Sequence, residues 1–107
     1  VSAESPREFK VGYTWHRKLA YKVLMRLPSD ERGVVLVEGR LDDGGWPTYE
    51  VAQIRWAEAR VMGGQPIPAG ERYPSSEEWG AMGWTYRHKP DAVKKLMSLA
   101  RLRKAAK

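Results

Sequence analysis

The sequence predicts a small α+β domain: an antiparallel sheet of three to four strands in meander order, packed against a C-terminal amphipathic helix. Three observations predict it: β-branched runs separated by turn residues between residues 18 and 60, a glycine- and proline-rich break after them, and apolar residues at helical steps after Pro90.

Residues 18–27, KLAYKVLMRL, alternate: Leu19, Tyr21, Val23, Met25 and Leu27 lie on one side, Lys18, Lys22 and Arg26 on the other, as in a half-buried strand. The same letters also place Ala20, Val23, Leu24 and Leu27 at helical spacing, and Leu, Lys, Met and Arg favour helices. Strand is preferred because the next two segments need a partner. Those segments, GVVLVEG at 33–39 and TYEVAQIRW at 48–56, flank the turn residues Asp42, Asp43, Gly44 and Gly45 and read as a hairpin. Phe9 to Tyr13 is a candidate short fourth strand. Between Met62 and Gly70, two glycines and two prolines before the last glycine predict a long loop without regular structure. Pro74 to Gly80 reads as a single Ser-capped helical turn stopped by glycine, and Gly83 to Tyr86 as short and extended. Pro90 opens the last helix, with Val93, Leu96, Met97 and Ala100 as its apolar stripe, Leu99 at its margin, and Lys94, Lys95, Arg101 and Lys104 opposite.

At 107 residues the chain forms one domain, assigned to residues 8–105 with a flexible N-terminus at 1–7. Zero cysteines exclude disulfides, thiolate nucleophiles and thiolate metal sites. No apolar run approaches the roughly 20 residues of a membrane-spanning helix, and VSAESPREFK is not a secretion signal, so a cytoplasmic protein without membrane partners is expected. No metal or other cofactor is expected: neither His16 nor His88 has a carboxylate or third histidine at ligand spacing, and the glycine pairs lack the residues of a phosphate loop.

The net charge of +6 is unevenly distributed. Residues 1–29 carry six Lys/Arg against two Asp/Glu, residues 30–79 five against ten, and residues 80–107 eight against one. The cations concentrate where two similar stretches lie, TWHRK at 14–18 and TYRHK at 85–89, which together hold both histidines. Five Trp and five Tyr against one Phe mean that nearly every aromatic ring carries a polar handle, and several of these rings alternate with cations. Cations at both ends suit a phosphate-bearing partner, and rings among them suit unpaired bases.

The expected function is therefore non-catalytic binding of nucleic acid, single-stranded or structured. Arg17, Lys18, Lys22, Arg87, Lys89, Lys94, Lys95, Arg101 and Lys104 would meet phosphates, and Trp15, Tyr21 and Tyr86 would stack. Two other classes compete. A protein-interaction module, of a mobile element or of another uncharacterised bacterial protein, would use the 62–74 loop and the acidic middle of the chain. A metal-independent ribonuclease would use His16 and His88 as acid and base with the neighbouring cations on the phosphate.

The C-terminal half, with Tyr49-Glu50-Val51, Ile54-Arg55, Tyr73-Pro74-Ser75-Ser76-Glu77-Glu78-Trp79-Gly80, Gly83-Trp84-Thr85-Tyr86 and the helix holding Ala92, resembles short uncharacterised proteins of bacterial and phage-type genomes. That group has no assigned activity. The resemblance implies only that Tyr-Pro-Ser and Trp-Gly serve the fold, and it does not reach Trp15 and His16.

Overall fold

The computed structural model describes residues 7–101. Lys104 and all of the 1–7 segment except Arg7 lie outside them. The chain forms β1 (Thr14–His16), β2 (Ala20–Leu27), β3 (Gly33–Leu41), β4 (Gly44–Ala57), β5 (Arg60–Met62), β6 (Gln65–Ile67), β7 (Gly70–Arg72), a 3₁₀ turn (Ser76–Glu78), β8 (Gly83–Tyr86) and α1 (Lys89–Leu99). Six strands build one antiparallel sheet, more than the three or four expected. β1 to β4 follow one another as a meander, and β7 and β8 both pair with the outer edge of β4, β7 at its C-terminal part and β8 at its middle. β7 and β8 thus run in line as one edge strand, interrupted by residues 73–82, which carry the 3₁₀ turn.

Both faces of the sheet are covered. The run Val34 to Val37 is fully buried: Val34 and Leu36 face α1 with Val51, Ala92 and Leu96, while Val35 and Val37 face the other way with Phe9, Val23, Ala52 and Ile54. An apolar run without alternation marks such a strand. On the face away from the helix, Phe9, Tyr13, Trp15, Tyr21 and Tyr73 close over the second core, with ring centroids 5.1 to 5.6 Å apart in the contacting pairs.

Four expectations are corrected. Phe9 to Tyr13 is not a strand: Gly12, at φ 93°, turns the chain so that Phe9 drops into the core, 2% exposed. The alternation of β2 does not hold one face throughout, because a bulge between Val23 and Met25 inserts a residue. Tyr21 and Val23 pack on the aromatic side, whereas Leu24, Met25 and Leu27 pack on the helix side. Residues 62–70 are not structureless: Gly63 and Gly64, both at positive φ, make the tight turn of a β5–β6 ribbon, and proline is accommodated there at a strand without a second neighbour. In α1 the buried stripe is Ala92, Val93, Leu96 and Leu99, which leaves Met97 58% exposed, and the helix stops before Ala100.

Gly83 shows how tightly the aromatic side is packed. The Trp79 ring lies where a Cβ on Gly83 would stand, 2.3 Å from its nearest ring carbon, while its indole N–H donates to Thr85 Oγ1 at 2.9 Å. Gly83→Ala should displace that ring and lower stability by about 2 kcal/mol, read as a lower urea midpoint with unchanged slope.

Candidate nucleic-acid interface

Antiparallel pairing decides where the two cationic stretches end up. β1, β3 and β8 all run toward the end of the sheet from which β2 and β4 start. The β1–β2 turn with Arg17 and Lys18, the β3–β4 turn with Asp42 and Asp43, and the β8–α1 junction with Arg87, His88 and Lys89 therefore share one end. TWHRK and TYRHK are parts of a single rim. They are not neighbours within it, because β1 and β8 lie four strand positions apart, roughly 19 Å at about 4.8 Å per strand. His16 and His88 are thus not brought to one phosphate. His16 instead meets Asp42 across the rim, its Nε2 at 3.0 Å from a carboxylate oxygen, and His88 stands at the N-cap of α1 without a side-chain capping bond.

The expected stacking rings are engaged in packing. Trp15 lies near-parallel to Tyr21 and Tyr13 and edge-on to Phe9 and Tyr73, and Tyr86 packs into the helix-side core. Among the expected cations, Arg17, Lys18, Lys22, Arg87, Lys89 and Lys94 are exposed and form no ion pair among the described residues. Lys22 points to the helix side of β2, in register with Glu38. Lys95 sits 4.3 Å over the Trp84 ring, and Arg101 lies 3.5 Å from Asp30 in an exposed pair.

One ring escaped the sequence expectations. Trp46, at the start of β4 beside the hairpin turn, is 90% exposed. Its sequence neighbours are Gly45 and Pro47, so a search for rings interleaved with cations passes over it; its cationic neighbours come from other strands.

The middle of the chain uses its charges internally. Glu78 holds Arg72 and Arg55 and accepts the Ser75 amide, closing the 3₁₀ turn against β4 and β7. Glu38 pairs with Arg40. Tyr73 donates its hydroxyl to Glu50 at 2.7 Å beneath the aromatic layer; burial pushes the Glu50 carboxyl up despite that bond, and burial with the Glu50 charge pushes Tyr73 well up. Glu71, 4% exposed, accepts from Arg26, Arg32 and the Phe9 amide at 2.7 to 2.8 Å. This cluster lines a cleft of about 870 Å³ in which Lys10, Arg26, Arg32 and Arg55 face Glu8, Asp30, Glu31 and Glu71, with Trp56 under the Arg32 guanidinium at 4.4 Å. Four cations against four carboxylates give a phosphate chain no net attraction, which leaves the rim as the candidate interface. No group of three His, Asp or Glu side chains suited to a metal ion occurs among the described residues.

The Glu71 cluster makes a pH prediction. Burial alone would raise its carboxyl, but the hydrogen bonds from Arg26, the Phe9 amide and Arg32, with the Arg26 charge, outweigh burial and hold it at about 2 against a usual 4.5. A carboxylate held low in the folded state adds stability that is complete above its ordinary range and is lost as pH falls toward 2. Glu71→Gln should cost about 3 kcal/mol at neutral pH, and the gap from wild type should narrow in urea titrations repeated between pH 5 and about 2.

Compared with known proteins, the chain matches no family model, no curated protein and no solved structure.

Proposed function

We propose that this domain binds nucleic acid without catalysis, through the rim at the hairpin end of its sheet. One observation carries the reading: two cationic stretches almost seventy residues apart are held at the same end, with Arg17, Lys18, Arg87 and Lys89 exposed and free of ion pairs among the described residues. Unneutralised cations on rigid turns attract a polyanion, and the positive end of α1 faces the same way. Lys22 and Lys94 extend the cationic surface onto the helix side.

In the same reading the chain is a bacterial or phage-type protein of the cytoplasm, on the likeness of its C-terminal half. No helix of the described residues is long and apolar enough to cross a membrane.

The test is fluorescence anisotropy with labelled single-stranded RNA, single-stranded DNA and duplex DNA over a salt series. Binding should fall linearly in log–log form with salt, and Arg87→Ala with Lys89→Ala should flatten the slope by about 1.4 for a single strand. An unchanged affinity and slope in that variant would overturn the reading. RNA should remain intact in chelator; cleavage lost in His16→Ala or His88→Ala would favour the ribonuclease, which needs an acid and a base at one phosphate.

A second reading, a protein-interaction module, is favoured by the β5–β6 ribbon. It stands off the main sheet with Val61 71% and Met62 56% exposed. Replacing both by Ser should abolish capture of a protein partner and leave oligonucleotide binding intact. An unchanged set of co-purifying proteins would remove the ribbon as an interface.

A further inference from the structure

Trp46 is the large ring that the fold leaves unused. Of the other tryptophans among the described residues, Trp15 and Trp79 pack in the aromatic layer, Trp84 lies under Lys95 and Trp56 under Arg32. Trp46 is 90% exposed, and no aromatic ring or cation packs on it among the described residues. Gly44 and Gly45, at φ 96° and 92°, carry the chain out of the turn and have no side chains to cover the indole. A ring of this size in water contributes nothing to folding, and the local backbone holds it at the middle of the rim.

Its surroundings fit one kind of ligand. Trp46 lies two strand positions from the start of β2, which follows Arg17 and Lys18, roughly 10 Å across the sheet, and three residues along β4 from Tyr49, the partner of Tyr86 at the end of β8, so the segment with Arg87 and Lys89 begins roughly 10 Å away on its other side. Asp42 and Asp43 occupy the turn beside it. A phosphate backbone crossing the rim is thus drawn to cations on both sides and repelled at the centre, where a base can lie on the indole. In a duplex both faces of every internal base are covered by neighbouring pairs, whereas an unpaired base offers a free face.

We propose that Trp46 is the base-stacking residue of the rim and that the nucleic acid recognised is single-stranded RNA or DNA. This rests on the proposed binding through the same end.

The experiment compares wild type, Trp46→Ala and Trp46→Phe by anisotropy against a labelled single strand and a blunt duplex of the same sequence. Wild type should prefer the single strand by at least about tenfold. Trp46→Ala should weaken the single strand by roughly 5- to 150-fold, the range that one base stack spans, with its salt slope and its duplex binding unchanged. Trp46→Phe should recover most of the loss. Because the indole is exposed, all three proteins should share one urea midpoint. Single-strand binding unaltered in Trp46→Ala, or duplex bound as tightly as single strand, would overturn this inference while leaving binding at the rim standing. Absence of binding by wild type to either ligand at low salt would overturn both.

Discussion

The fold depends on one buried carboxylate. Glu71 is on the short edge strand β7, which pairs with β4 over only three residues. Its two oxygens accept from Arg26 on β2 and Arg32 in the β2–β3 connection, and one also accepts the Phe9 amide. A single side chain therefore ties the far edge of the sheet to its near strands and to the N-terminal segment. Burying an isolated carboxylate would be prohibitive; here one charge meets two guanidinium groups that remain part-exposed, so desolvation falls mostly on the carboxylate and is offset by four charge-assisted hydrogen bonds.

The bulge in β2 makes that arrangement possible. Without it, Arg26 would project to the helix side with Lys22, and the alternation would put Met25 and Leu27 under the aromatic layer. The inserted residue turns Arg26 onto the aromatic side, in register with Val35, and gives the helix its partners Leu24, Met25 and Leu27. The two faces of the sheet can then carry different chemistry: a mainly aliphatic layer under α1, and a layer of linked aromatic rings in which Tyr73 donates its hydroxyl to the half-buried Glu50 of β4.

What was legible in the sequence follows from this geometry. β3 and β4, the turn between them, the Ser-led 3₁₀ turn and the last helix were legible because their signals are local. The unbroken Val-Val-Leu-Val run also carried the sign of a strand covered on both faces. The bulge was not legible, since Leu19, Tyr21, Val23, Met25 and Leu27 still fall on alternate positions, and the apolar Leu24 among the cations reads equally as a helical step; only cross-strand pairing reveals the extra residue. The β5–β6 ribbon was missed because Gly63-Gly64 with two nearby prolines reads as a break, whereas two glycines at positive φ also make the tightest hairpin turn. At the candidate site, local composition points to cations and rings that are neighbours in sequence and is silent on neighbours made by strand order. Trp15, Tyr21 and Tyr86 sit near cations in sequence and pack into the fold, whereas Trp46 has no cation beside it in sequence and gains them only through strand order.

The charge pattern follows from the same division of labour. Four of the five arginines in the acidic middle, Arg32, Arg40, Arg55 and Arg72, pair with Glu38, Glu71 or Glu78, and the surplus carboxylates reach Arg26, Arg101 and His16 from outside that block. Glu38, Glu71 and Glu78 thus hold strands and turns together, at short range and, for buried Glu71, with low sensitivity to salt. At the two ends, Arg17, Lys18, Lys22, Arg87, Lys89 and Lys94 form no ion pair among the described residues. Because the meander returns β8 to the end where β1 turns, Arg17, Lys18, Arg87 and Lys89 share one rim, where a charge acts at long range and is screened by salt. In the proposed reading those four cations draw a polyanion to the rim, and the exposed indole of Trp46 adds the short-range contact that charge alone lacks.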